Sequence, residues 1–364
     1  MYEVTQRNSY DTIYQEIKSI FDHKSKPIDG FGDFEEVICK IGAIQKTLHP
    51  SIKKRVALIA CGDHGIVEEG VSQSDCKVTR LVAESLGKGQ STASTLGKAI
   101  HCDILPVDVG IYGKEEIPGV VSCKIAEGTK NFKISQAMTM SQCREAIDLG
   151  KSLARDASKK GYELIVTGEM GIGNTTASTA ILLSLLDVPK TQWSQYIGRG
   201  AGLDDQRFIK KQQVIEEGLR LHQPLIQSQE SQSQKALMAL CCFGGLEIAC
   251  MVGMFLGGKE MGIPVVLDGL ISATAALVAS RLETDLTRYI LPSHQGREGG
   301  CMLALKALGL TPLLRGNMAL GEGTGGLLLL PLLDSMISYY EQGASFFDNH
   351  IEDYMRYESG KGQE

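Results

Sequence analysis

The chain has 364 residues, 41 of them glycine, with 6% aromatic residues, one tryptophan and a formal net charge of −6. Such a length accommodates one large domain or two smaller ones. The glycine-rich, aromatic-poor composition suits an α/β enzyme rather than a β-sandwich, and the acidic balance argues against a nucleic-acid partner.

The first fifty residues read as helices, with Ile13, Ile17 and Ile20 at helical spacing. This segment has neither the basic nor the apolar region of a signal peptide. A β-branched apolar run then ends in glycine and polar residues, RVALIACGDHG at 55–65. The form repeats in DILPVDVG (103–110), ELIVTGEMG (163–171), IPVVLDG (263–269) and, more weakly, RYILPSHQG (288–296). Continuous apolar strands indicate burial on both faces, and their alternation with helices implies parallel βαβ units. The acids Asp63, Asp108, Glu169 and Asp268 then gather at the carboxyl ends of the strands, where open α/β sheets place ligands. Residues 224–235, PLIQSQESQSQK, read as an exposed loop before a long apolar helix at 236–257. Residues 323–358 read as helical, ahead of a disordered tail, SGKGQE. The run from Leu327 to Leu333 is interrupted by Pro331 and is too short to span a bilayer.

The expected fold is therefore α/β. A Rossmann-like parallel sheet flanked by helices spans 51–322, with a small helical lobe from 1–50 and 323–364. Ten cysteines are scattered without a C-x-x-C pair, which reads as reduced, buried thiols in a cytoplasmic protein and gives no zinc spacing.

Three glycine-rich segments can carry chemistry. GEMGIGNTT (168–176) joins a strand to a helix whose N-terminal N–H groups favour an anion, which reads as a phosphate-bearing substrate. It lacks the Gly-Lys-Ser/Thr ending of a triphosphate loop, and an ordinary βα turn is the plain alternative. GRGAGLDD (198–205) ends in a candidate helix cap, Asp204 or Asp205, and is followed by Lys210 and Lys211. By pattern these lysines belong on a solvated face. LGEGTGG (320–326) holds Glu322 between glycines, where a dry pocket raises the pKa of a carboxylate and makes it a general base. Asp63-His64 reads as a polar turn, and SHQGREGG (293–300), with His294, Arg297 and Glu298, is equally ambiguous. No G-x-G-x-x-G follows the first strand, which weakens a dinucleotide-binding reading.

The ordered set GDHGIVEEGVS, GEMGIGNTTAS, GRGAGLDD, LDGLISATAAL, SHQGREGG, LGLTPLL and LGEGTGGLLLLPLL resembles the nicotinate-nucleotide:dimethylbenzimidazole phosphoribosyltransferases, over about residues 30–340. The resemblance implies a dimer, homodimeric or formed with a paralogue, and no metal or cofactor. It implies that nicotinate mononucleotide loses nicotinate as a ring nitrogen of an aromatic base attacks ribose C1 with inversion. Glu322 matches the general base. Glu169, Gly171, Gly173, Asn174, Thr175 and Thr176 match the loop that holds the mononucleotide, and Gly202 and Lys211 match a second loop and a lysine near the phosphate. Ser72, Leu81 and Leu320 fall in the regions that bind substrate.

Departures cluster where the acceptor base belongs. Ser74-Asp75 replaces an aromatic-Pro pair, Leu81-Val82 aligns with a Gln-Met pair, Cys301 follows Gly300 in place of histidine, and Ala319 replaces an arginine. The acceptor is thereby left open among dimethylbenzimidazole, another benzimidazole, a purine such as adenine, and a phenolic base. A second reading is a weakly active or inactive subunit that pairs with an active paralogue.

Overall fold

A computed structural model describes residues 9–356. The tail expected to be disordered, 359–364, lies outside them. The chain forms two compact units, Lys54–Leu329 and a second built from the segments before and after it.

In the second unit, α1 (Tyr10–Asp22) is capped by Ser9 and buries Ile13, Ile17 and Phe21 along one face. The buried stripe runs 13-17-21 rather than through Ile20, which is half-buried. α2 (Asp33–Gln45) adds Glu35, whose carboxylate meets buried Lys26 at 2.8 Å. The final helix, α12 (Thr324–Gln342), begins in the larger unit and ends in this one. It stops at Gln342 and does not continue to 358. Beyond it Ser345 N–H bonds the Asp348 carboxylate at 2.8 Å, a side-chain turn that competes with helix.

The larger unit is organised by β1 (Arg55–Gly62), β2 (Cys102–Gly110), β3 (Val121–Ser122), β4 (Leu164–Met170), β5 (Val265–Leu267) and β6 (Ile290–Pro292). They form one parallel sheet in the order β3-β2-β1-β4-β5-β6. The chain leaves β1 toward β2 and later returns to β1's other side with β4. This reversal opens a crevice at the carboxyl ends of β1 and β4. All eight residues of β1 are buried, as its unbroken apolar run requires.

RYILPSHQG does not form one strand. Ser293 turns the chain out of the main sheet: its carbonyl accepts from Leu313 and Leu314 N–H. β7 (His294–Gly296) then pairs in parallel with β8 (Leu314–Met318). β8 carries no apolar alternation, and Arg315, Gly316 and Asn317 are exposed.

The longer helices of this unit are α3 (Lys77–Gly87), α4 (Thr92–Ala99), α5 (Met140–Lys159), α6 (Asn174–Leu185), α7 (Asp205–Gln227), α8 (Gln232–Phe243), α9 (Leu246–Met261), α10 (Leu270–Leu282) and α11 (Gly299–Leu308). The exposed loop expected at 224–235 is shorter. α7 runs through Pro224 to Gln227, and a Ser231–Gln234 capping box starts α8. The single helix expected at 236–257 is two, separated by extended Gly244 and Gly245. Ala137 and Met138 N–H groups take the carbonyls of Cys242 and Cys241 at 3.0 and 3.1 Å, so α8 cannot continue through them. α9 is buried at every residue from Leu246 to Gly258, as an all-round apolar helix must be. All ten cysteines are free, Cys76 and Cys123 half-buried and the rest buried. Among the described residues no helix is long and apolar enough to cross a membrane.

Candidate active site

A cleft of about 350 Å³ opens at the carboxyl ends of β1, β4 and β5. Its walls come from Ser72, Ser74, Val78 and Val82 after β1, residues 169–175 after β4, Arg199–Ala201, residues 268–272 after β5, His294 and Arg297–Glu298, and residues 318–322 before α12.

The loop after β4 is shaped by contacts that only bare backbone permits. A Cβ on Gly171 would stand 2.5 Å from the Gly62 carbonyl. Gly173, at φ +100°, occupies the N-cap of α6 without a side-chain cap. The Asn174 and Thr176 N–H groups close back on the Gly171 and Gly173 carbonyls, which leaves Thr175 N–H as the first-turn donor for a ligand. Glu169 is buried against this loop and accepts from the Asn174 side-chain amide. Burial, with Asp268 and Glu247 nearby, raises its pKa to about 8.

Behind Thr175 stands Lys211, fully buried rather than on a solvated face. Its Nζ donates to Thr175 Oγ1 and to the Gly198 carbonyl, each at 2.9 Å. Burial pulls its pKa down to about 8, against the opposing effect of Glu298. It is Lys210 that is exposed. Asp204 is the cap of α7, accepting from Arg207 N–H at 2.8 Å. Glu298 accepts from Gly200 N–H at 3.0 Å.

Glu322 has φ +57°, between Gly321 at +94° and Gly323 at +73°. A left-handed non-glycine residue costs about 1 kcal/mol or more, and such strain is a mark of functional sites. Glu322 Oε2 accepts from Ala93 N–H in the first turn of α4 at 3.2 Å, and its own N–H reaches the Glu169 carbonyl at 3.3 Å. It is half-buried, so the dry pocket expected around it is absent; the buried carboxyl at this point is Glu169. A Cβ on Gly321 would come within 2.7 Å of Glu169 Oε1, which places the two glutamates side by side.

At the floor, Asp268 Oδ1 accepts from Gly325 and Gly326 N–H at 2.8 and 3.2 Å, tying α12 to β5. Burial raises its pKa, and His294, 3.9 Å away, opposes the rise. Asp63 and His64 are not a solvated turn. Both are buried: Asp63 accepts from Tyr112 N–H at 2.8 Å, and His64 Nε2 lies 2.6 Å from Glu247 Oε1. Among the described residues no group of three or more His, Cys, Asp or Glu side chains is arranged to hold a metal ion.

Of the residues singled out from sequence, Ser72, Glu169, Gly171, Gly173, Asn174, Thr175, Leu320 and Glu322 line the cleft. Thr176, Gly202, Lys211 and Leu81 do not. Thr176 is fully buried in α6, and Gly202 offers its carbonyl to the Gln73 amide. Leu81 is 61% exposed, and Val82 faces the cleft in its place. Val78 and Val82 stand one helical turn apart, a spacing that could have picked them out. His64–Glu247 was missed because 183 residues separate the partners.

Residues 8–351 match the family described as Phosphoribosyltransferase. The nicotinate-nucleotide–dimethylbenzimidazole phosphoribosyltransferase of Acetivibrio thermocellus is 36% identical over 333 residues, 92% of each chain. The Pseudomonas putida protein of that name is 36% identical over 330 residues, 90% of this chain and 91% of its own. The crystal structure of CobT from Thermus thermophilus superposes with a TM-score of 0.85 at 31% identity, covering 93% of this chain and 99% of that one. With fold, cleft and matching length in agreement, the chain belongs to the phosphoribosyltransferase family that includes these nicotinate-nucleotide–dimethylbenzimidazole enzymes.

Proposed function

We propose that this cleft transfers the phosphoribosyl group of nicotinate mononucleotide to an aromatic base of the dimethylbenzimidazole class, in assembly of a cobamide nucleotide. The reading is carried by the meeting of Glu322 with the loop 169–175 in one cleft. The names and near full-length coverage of the relatives support it.

In this reaction the bond from ribose C1 to the nicotinate ring nitrogen breaks. Its electron pair leaves with nicotinate, whose ring becomes neutral. A ring nitrogen of the base bonds to C1 from the opposite face, giving the α-riboside 5′-phosphate. The proton on the other ring nitrogen passes to the Glu322 carboxylate as positive charge grows on the base. Glu322 also faces the oxocarbenium-like charge at C1, and holding both reactants in line supplies much of the remaining acceleration.

Thr175, through its N–H and hydroxyl and with Lys211 behind it, takes the 5′-phosphate. Glu169, with a pKa of about 8, keeps its proton at neutral pH and donates a hydrogen bond to a ribose hydroxyl. The acceptor lies against Ser72, Val78, Val82 and Leu320. We read the chain as a cytoplasmic dimer. The inactive-subunit reading is not favoured, since the Glu322 and 169–175 groups are all in place.

The test is nicotinate release from nicotinate mononucleotide by the purified chain alone, with dimethylbenzimidazole, adenine, phenol and p-cresol in turn. Release with dimethylbenzimidazole is expected, and its relative rate against the others identifies the acceptor. No release with any base overturns the reading.

A further inference from the structure

Beneath the loop after β4 lies a buried pair that the transfer chemistry does not use. His64 Nε2 stands 2.6 Å from Glu247 Oε1, with side chains 1% and 0% exposed. His64 follows the end of β1, and Glu247 sits in the first turn of α9. Neither lines the cleft. Glu247 interrupts an otherwise apolar buried run, and its Oε2 has no hydrogen-bond partner. Such a pair contributes little net stability, because desolvation offsets most of the attraction between the partners. What a fully buried, hydrogen-bonded pair does supply is fixed geometry.

What it touches shows which geometry. A Cβ on Gly171 would stand 3.4 Å from both His64 Nε2 and Glu247 Oε1, and one on Gly173 would stand 3.1 Å from His64 Cβ. A Cβ on Gly62, at the end of β1, would be 3.1 Å from Glu247 Oε2, and one on Gly245, at the cap of α9, 2.4 Å from His64 Cε1. Three chain segments that are remote in sequence thus lay bare backbone against one hydrogen-bonded pair. One of them is the turn that aims Glu169 and the first turn of α6 into the cleft.

We propose that the His64–Glu247 pair is a positioning device for this turn. It holds Gly171 and Gly173 at the height at which Glu169 and Thr175 meet the donor nucleotide. The turn meets α3 through Ile172 N–H, which donates to Thr79 Oγ1 at 3.2 Å, so the acceptor wall is affected less than the donor loop that rests on the pair itself. The inference rests on reading the loop as the donor site, and its first test is independent of that reading.

Amide hydrogen exchange is measured on the unliganded full chain for wild type, His64→Ala, Glu247→Ala and Glu247→Gln. Breaking the pair is expected to speed exchange at 171–176 by about tenfold or more and leave β2 unchanged. Glu247→Gln, which keeps an acceptor for His64, stays near wild type. His64→Leu, which removes the ring donor with less loss of volume, gives the same local acceleration if an alanine variant does not fold. Unchanged exchange at 171–176 in a folded His64 variant overturns the proposal. In the transfer assay the same variants raise KM for nicotinate mononucleotide about tenfold, with kcat and the acceptor KM within about twofold. Equal changes in both KM values also overturn it, since a general loss of structure acts on both sides. A wild-type chain that transfers nothing overturns the functional reading and leaves the exchange result standing.

Discussion

The loop after β4 and the segment after β1 face each other across the cleft, and they are built differently. In the first, Gly171 and Gly173 press against the Gly62 carbonyl and His64, and buried Lys211 anchors Thr175 from behind. In the second, residues 72–76 alternate between half-buried and exposed, and the wall is made by the side chains of Val78 and Val82 on α3. A loop fixed by backbone contacts cannot change one residue without moving the rest. A wall made by the half-buried side chains of Val78 and Val82, one helical turn apart on α3, can. In the proposed reading the donor site is therefore rigid and the acceptor site adjustable.

Glu322→Gln gives the largest expected effect and removes the group that both sides share. Loss of a general base lowers kcat by about 10²–10⁴-fold. Steady-state rates with both substrates saturating check this; a variant within tenfold of wild type removes Glu322 from the role.

Lys211→Met acts on the rigid side alone. It is expected to raise KM for nicotinate mononucleotide by about 10- to 100-fold with the acceptor KM unchanged. In wild type this KM climbs as pH rises through about 8, where Lys211 loses its charge and Glu169 gains one. The climb is shallower in Lys211→Met, because only Glu169 then titrates there.

Glu169→Gln sharpens the comparison through stability. The folded-state pKa of Glu169 is raised from 4.5 to about 8, so the stabilisation from its protonation is complete below pH 4.5 and lost as pH rises through 8. The Tm of Glu169→Gln relative to wild type is therefore expected to grow between pH 5 and pH 9 by calorimetry. A constant difference would remove the buried-acid description.

The smallest effect belongs to the adjustable wall. Val82→Ala is expected to raise the acceptor KM by about 3- to 10-fold, since a buried carbon group contributes about 0.8 kcal/mol and Val82 is half-buried, with the donor KM untouched. Leu81→Ala, at an exposed position, changes neither.

How much of this was legible in the sequence follows the same division. β1 and β4 announce themselves because burial on both faces demands continuous apolar runs. GEMGIGN is readable because backbone contacts demand glycine. Lys211 is not, since QRFIKKQQ has the look of a solvated helix face and only the fold shows which of two adjacent lysines turns inward. Leu81 and Val82 differ by one residue and about 100° of helix phase, which alignment to a family motif does not resolve. The break at Gly244–Gly245 exists because Ala137 and Met138 take the helix carbonyls, a contact more than a hundred residues away. His64–Glu247 is legible only once β1 and α9 are side by side.

The most direct test of phosphoribosyl transfer is a product balance. Purified chain is incubated with nicotinate mononucleotide and dimethylbenzimidazole, and nicotinate and riboside phosphate are quantified together, with the anomeric configuration read by NMR. The account predicts equimolar nicotinate and α-riboside 5′-phosphate. Nicotinate accompanied by free ribose 5-phosphate, or a β-riboside, would contradict it.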